Sequence, residues 1–215
     1  MIGNNFASMF YLLVASLLFV TVSSVATGAT ATKTEEDLVS VIIASLEGRS
    51  EVGIITEYLE MSRDALTKEL PLENSGRKLS YTFFAPTDFS LFRRMVQDTV
   101  NPLTADGAFR NKILLRHFAR QRVSSDDLSK LDKLIMADAK EATLSRIADT
   151  KINRINNEEI LPGAIQLANN LGIVHVVDGV FMTHDEMSEA IYAYNAKNPN
   201  TGYGHLVGSA SPPES

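Results

Sequence analysis

The hydrophobic period changes partway along the chain, and that change limits the fold more than any other feature of the sequence. Leu38, Val41, Ile42, Ser45 and Leu46 recur at helical spacing until Gly48, behind a Thr34-x-x-Asp37 pattern of the capping-box kind. A second helical face carries Ile54, Ile55, Tyr58, Leu59 and Ser62 and continues through Ala65, Leu66 and Leu70 until Pro71 blocks it. Asn74-Ser75-Gly76 reads as a turn. Thr104 is placed to cap a helix through Phe109, Ile113, Arg116 and His117, and Ser125 a short one at 126–128. Beyond these, residues 133–138, 142–147, 150–155, 163–168 and 172–182 are short apolar or alternating stretches separated by polar, turn-like residues. Helices first and strands later predict an α+β domain.

Between the two regimes lies a compact strand–turn–helix unit. Leu79, Tyr81, Phe83 and Ala85 alternate with Ser80 and Thr82, which predicts a half-buried strand ended by Pro86-Thr87-Asp88. Thr87 or Asp88 then caps a helix whose buried face would hold Phe89, Phe92 and Val96. By these phases Phe83, Phe89, Phe92, Ile113, Val174 and Val176 are assigned to the core.

The chain has 215 residues, room for one ordinary domain with terminal extensions, and its apolar (45%) and charged (21%) shares are those of a globular protein. With a net charge of −6 and scattered Lys and Arg, it lacks the basic cluster that phosphate binding needs, so nucleic acid is not an expected partner. Arg93-Arg94 reads as a solvated helix face. Cysteine is absent, which excludes a disulfide framework, a thiolate nucleophile and a Cys-based zinc site; stability must come from apolar burial.

Residues 1–32 carry no charge, and Phe6 to Val25 is apolar with small residues following at once. The expectation is a signal peptide over 1–31, cleaved near 26–31, with an uncleaved membrane anchor as the alternative. Either places the folded part in an exported compartment and predicts a secreted, extracellular protein. The folded domain is expected over 34–184, followed by a polar, flexible tail over 185–215. The tail offers no hydrophobic run for a lipid-anchor signal, and no Asn-x-Ser/Thr sequon occurs.

Two boxes stand roughly 90 residues apart, in an order that matters as much as their composition. The first, Tyr81-Thr82-Phe83-Phe84-Ala85-Pro86-Thr87-Asp88-Phe89, resembles the first signature box of fasciclin domains. The second, Gly172-Ile173-Val174-His175-Val176-Val177-Asp178-Gly179-Val180-Phe181-Met182, is similar to that family's second box, and Ile113-Leu114-Leu115-Arg116-His117 to its Tyr-His element. The resemblance covers about residues 38–183. It implies an α+β wedge of β-sheet layers with helices packed against them, and an extracellular adhesion role. Thr82, Phe84, Ala85, Pro86, Thr87, Asp88, His117, Gly172, His175 and Asp178 are the signature residues that carry over. The chain departs from the family where some members are linked to integrin binding. Arg116 stands for the Tyr, Gln166-Leu167 replaces an Asp-Ile pair, and Leu171 replaces the Asn before Gly172. Arg116, His117, Gln166 and Leu167 remain the binding candidates.

Asp88, His117, His175 and Asp178, with Ser90, contain the residue types of a Ser-His-Asp hydrolase, but no Gly-x-Ser-x-Gly elbow is present. A His inside Ile-Val-His-Val-Val needs an internal hydrogen-bond partner, for which Asp88, Thr87 or a backbone carbonyl is available. His184-Asp185-Glu186 lacks metal-ligand spacing, and Asp126-Asp127 and Glu158-Glu159 read as caps and turns, so neither a metal nor a cofactor is expected. The sequence therefore predicts a non-catalytic adhesion or matrix-interaction module whose partners are extracellular or cell-surface proteins. A secreted carrier of a small apolar ligand is the first alternative and a secreted hydrolase the second.

Overall fold

The computed structural model describes residues 37–96, 99–147 and 153–199. The expected signal peptide, Thr34 and the end of the expected tail lie outside them. Helix α1 (Leu38–Leu46) starts at Asp37, whose carboxylate accepts the Ser40 amide at 2.9 Å, so this aspartate is itself the N-cap. Helix α2 (Gly53–Glu69) buries Ile55, Tyr58, Leu59, Ser62 and Leu66, the face read from the sequence, and ends at Leu70 before Pro71. A small hairpin of β1 (Glu73–Asn74) and β2 (Arg77–Lys78) turns through Ser75 and Gly76, both at positive φ.

Next come β3 (Tyr81–Pro86), α3 (Asp88–Arg94), α4 (Pro102–Ala105), α5 (Gly107–Leu115), β4 (Phe118–Ala119) and α6 (Ser125–Leu128). The single helix expected behind Thr104 is in fact two. Asn101 caps α4 and Asp106 caps α5, each aspartyl or asparaginyl oxygen accepting amides of the following turn, and Thr104 lies inside the first. Ser124, one residue earlier than expected, caps α6.

The second half is β-rich, as the alternation predicts: β5 (Lys133–Ile135), β6 (Glu141–Arg146), β7 (Asn153–Ile155), β8 (Glu158–Ile160), β9 (Ile165–Gln166) and β10 (Gly172–Val177). Glu158 and Glu159 lie in β8 instead of a turn; the turn before it is Asn156-Asn157, with φ of 51° and 68°. The strands run in the order β4-β3-β10-β8-β7-β6-β5, with β9 also on β10. The β3–β10 pair is parallel and the other pairings are antiparallel. A bridge between Ala119 and Met136, reinforced by the Ala137 amide donating to the Phe118 carbonyl at 2.7 Å, joins the two ends of this order and curls the sheet into a barrel.

Two cores result. One lies between the helices and the sheet and takes Leu38, Ile42, Leu59 and Leu66 together with Phe83, Ala85, Val174 and Val176. The other fills the barrel with Phe84, Leu134, Leu144, Ile155, Val177 and Phe181. Central strands β3 and β10 are consequently buried on both faces, which corrects the half-buried reading of β3. Thr82, on the face expected to be polar, is 0% exposed; its hydroxyl donates to the Gln121 carbonyl at 2.7 Å and accepts the Val123 amide at 2.8 Å.

Two further expectations are corrected. Phe83, Ile113, Val174 and Val176 are core, but Phe89 and Phe92 are 64% and 63% exposed, and Val96 is exposed beside them. Helix α3 is seven residues long and buries Ser90 and Leu91. Hydrogen bonds of Ser90 fix which side faces inward, so the apolar spacing of Phe89 and Phe92 marks an outward stripe. The tail expected from 185 is likewise helical as far as Lys197. Helix α7 (His184–Lys197) opens with a capping box between Thr183 and Glu186 and buries Met187 and Ile191. Met187 and Ile191 stand at i,i+4 on one face, a helical signal that the polar residues around them masked.

Candidate functional site

The parallel register sets Tyr81 through Pro86 beside Gly172 through Val177, so the two boxes end side by side. Thr87 caps α3, its hydroxyl accepting the Ser90 amide at 3.1 Å. Ser90 Oγ donates to Asp178 Oδ1 at 2.9 Å, which leaves the Thr87 hydroxyl to donate to Ser90 Oγ at 2.7 Å. Arg93 Nη2 adds a bond to the same Asp178 oxygen at 3.2 Å. The cap of one box is thereby tied to the aspartate of the other. Gly172 is required for close approach: a Cβ there would run into the Tyr81 carbonyl.

Asp88 does not cap its own helix. Its carboxylate accepts the Gly53 amide at 3.2 Å and the Ile54 amide at 2.8 Å, serving the N-terminus of α2, where Val52 offers no side-chain cap. One signature residue therefore joins α2 to the start of α3.

His175 of the second box and the central His117 are both internal. His175 Nε2 donates to the Val123 carbonyl at 2.9 Å, the backbone option of the three weighed in the sequence. The ring stacks near Phe84 at a centroid distance of 5.7 Å, and burial lowers its pKa against the raising effect of that hydrogen bond. His117 accepts the Phe181 amide on Nε2 at 3.1 Å, which leaves Nδ1 to donate to the Phe84 carbonyl at 2.8 Å and fixes the tautomer. Burial lowers its pKa to about 4, with a smaller push in the same direction from Arg116 and an opposing one from the Phe84 carbonyl. The neutral ring lies flat on Phe181, centroids 4.2 Å apart. Neither histidine is hydrogen-bonded to Ser90, Asp88 or Asp178, so the residue types of a hydrolase triad are present without its connections.

Of the binding candidates, Arg116, His117 and Leu167 are buried. The Arg116 guanidinium grips Glu186 with Nη1 and Nη2, each at 2.6 Å, while Nε reaches Asp138 at 3.2 Å and Nη1 also reaches the Phe181 carbonyl at 3.3 Å. Hydrogen bonding to Arg116 holds the Glu186 pKa down at about 2 against desolvation. This clamp fastens α7 to the barrel, and it was not read from the sequence because its members are 22 and 70 residues apart. Glu186 is thus occupied, and the His184-Asp185-Glu186 run does not converge. Gln166 is exposed and accepts Arg122 Nη2 at 2.6 Å, whereas Leu167 belongs to the core.

Two surface clefts lie near the boxes. The larger, about 490 Å³, is lined by the buried Met136, Val180, Phe181 and Met182 and by the exposed Lys140 and His184. The other, about 450 Å³, is walled by Phe89, Phe92, Met95, Val100, Pro102 and Met187. Neither the outward Phe stripe nor this recess was anticipated; the Phe89-x-x-Phe92 spacing was the available signal, read with the wrong sign. Among the described residues no helix is long and apolar enough to cross a membrane.

Comparison with known proteins agrees with this architecture. Among solved structures the chain is similar to the FAS1 domain pair from the insect cell adhesion molecule fasciclin I, with a TM-score of 0.51 and 18% identity over 68% of this chain. It spans 52% of that chain, about half its length. No curated protein matches the sequence significantly. The family model described as Fasciclin domain matches residues 54–183, more than half of the chain and inclusive of both boxes and the central histidine. The chain belongs to the fasciclin domain family.

Proposed function

We propose that this protein is a non-catalytic extracellular adhesion or matrix-interaction module, exported by its apolar N-terminal segment. The observation that carries the reading is the fate of the signature polar groups. Thr87, Asp88, His117, His175 and Asp178 direct their side chains to helix ends, neighbouring hydroxyls and backbone groups, and the surface beside them is an exposed Phe stripe suited to contact. The similarity to a domain pair from a cell adhesion molecule supports the same reading. The void among Ile55, Tyr58, Leu91, Leu103 and Ile113 is about 10 Å³, scarcely room for one water, so a carrier of an apolar ligand would have to use the open recess beside Phe89 and Phe92 instead.

The purified protein, coated on a surface, is expected to retain cells or bind matrix proteins in solid-phase assays, with Phe89→Ser/Phe92→Ser weakening retention and His117→Gln weakening it only in proportion to lost folded protein. Absence of any such binding by fully folded material would refute the reading. So would esterase or amidase activity abolished by Ser90→Ala in a variant that melts like the parent.

A further inference from the structure

We infer that the cleft between the β5–β6 turn and the start of α7 binds a small organic anion, an aryl or alkyl carboxylate, a site that goes beyond the adhesion reading and does not depend on it. The cleft measures about 490 Å³, within the range of small-molecule sites, and shares no lining residue with the recess beside Phe89 and Phe92. Its apolar lining is Met136, Val180, Phe181 and Met182, all buried. Phe181 is held in place on three sides. Its amide donates to His117 Nε2 at 3.1 Å, its carbonyl accepts Arg116 Nη1 at 3.3 Å, and its ring lies flat on His117 with centroids 4.2 Å apart. A surface fixed before the ligand arrives has little freedom left to lose on binding.

The polar groups of the cleft select the ligand class. Each carboxylate there already has a cation: Asp138 lies 3.2 Å from Arg116 Nε, Glu158 3.1 Å from Arg94 and Glu141 2.7 Å from Lys133. The second oxygen of Asp138 accepts the Lys140 amide at 3.1 Å, and Asn156 Oδ1 accepts the Thr143 amide at 3.0 Å. The donors are not matched in the same way. Arg116 is 8% exposed and carries five N–H groups, of which Glu186 accepts two, Asp138 one and the Phe181 carbonyl one. One N–H on Nη2 is left without an acceptor among the described residues, as is the Asn156 Nδ2 group, and the Lys140 ammonium forms no ion pair with any of them.

An unmet donor on a nine-tenths buried guanidinium, beside an unpaired ammonium, calls for an acceptor-rich group of negative charge, because charge-assisted bonds would satisfy both. A carboxylate on an apolar tail complements the two halves of the cleft together, the head toward Lys140, Arg116 and Asn156 and the tail on Met136, Phe181 and Met182. The two thioethers suit an aromatic tail in particular. A bare inorganic anion would leave the apolar lining in water, and a neutral hydrocarbon would leave the donors unmet.

Nuclear magnetic resonance titration of the isotope-labelled protein with phenylbutyrate is expected to give saturable shifts at the amides of Lys140, Phe181 and Met182 and none at Phe92 and Met187. Phenylbutanol keeps the tail and loses the charge, and should bind about tenfold more weakly. Sodium sulfate at matched ionic strength keeps the charge and loses the tail, and should produce no saturable shift at Phe181 or Met182. Lys140→Glu, at an exposed turn position, should weaken phenylbutyrate about tenfold with the melting temperature unchanged. Asn156→Asp keeps the acceptor for Thr143 and tolerates the φ of 51°, and should weaken it about threefold. Absence of saturable shifts, shifts centred on Phe92 and Met187, the same response to sulfate, equal affinity for the alcohol, or full affinity in both folded variants would each overturn the inference. Cell retention is assigned to the Phe stripe, so any of these outcomes leaves the adhesion reading as it stands, and folded protein that binds phenylbutyrate without retaining cells would do the reverse.

Discussion

Asp88→Ala tests whether a signature aspartate of the first box works as a cap for a helix 34 residues away in sequence. The substitution removes the acceptor for the Gly53 and Ile54 amides at the start of α2, a helix with no other side-chain cap. Losing a cap costs about 0.5–2 kcal/mol, and losing a carboxylate at a helix N-terminus about 0.3–1 kcal/mol more. The combined cost of about 1–3 kcal/mol corresponds, for a domain of this size, to a melting temperature lower by about 3–10 °C. Asp88→Asn keeps an acceptor without the charge and should recover most of the loss. Circular dichroism melts of the three proteins side by side decide the matter, with hydrogen exchange of the first-turn amides of α2 as a local readout. If Asp88→Ala melted within a degree of the parent and the α2 amides exchanged no faster, the cap would contribute nothing and the reasoning would fail.

The Arg116–Glu186 clamp predicts a pH dependence. Because the folded pKa of Glu186 is depressed to about 2, its contribution is complete above the ordinary glutamate pKa of 4.5 and lost as pH falls from there through about 2. Glu186→Gln should lower the urea midpoint at neutral pH and converge on the parent as the pH approaches 2. His117, held near 4, is stabilising as the neutral ring above its ordinary pKa of 6.5, and this is lost as pH falls through about 4. His117→Gln should flatten the stability profile between those two values, and an unchanged slope would contradict the assigned burial. Phe83→Ala should destabilise by about 3–5 kcal/mol, whereas Phe92→Ser should lie within about 0.5 kcal/mol of the parent. Chemical denaturation separates the two, and similar costs would mean that the stripe is buried after all.

The helix-then-strand order was legible because α2 carries a clean helical period and β10 is a short apolar run, and the boxes were legible because their residues are contiguous. The backbone role of His175 followed from a polar ring set in an apolar strand. What escaped was long-range. Nothing near Asp88 says that it serves Gly53 and Ile54, since only the packing of α3 against α2 brings those amides within reach. Arg116 looked like a departure from a recognition motif until the turn of α7 delivered Glu186 to it. Phe89 and Phe92 failed for a different reason: helical spacing shows that residues share a face without showing which way the face points, and Ser90 bound to Asp178 turned it outward.

The pairing of β3 with β10 also bears on how the chain can be made. Thr87 and Asp178, which follow the ends of β3 and β10, are 91 residues apart, so the central strand pair closes one of the largest loops the domain contains. Contacts of such separation slow folding, because the entropy of closing the loop is lost before the contacts compensate for it. On a ribosome, β3 emerges with apolar residues on both faces and waits for roughly half the domain before its parallel neighbour is synthesised. Until then its free edge and its barrel face, which carries Phe84, are open to other chains. A chain truncated just before Gly172 would keep α1 to α6 yet lack both α7 and the strand that completes β3, and aggregation during synthesis is the expected fate of such fragments.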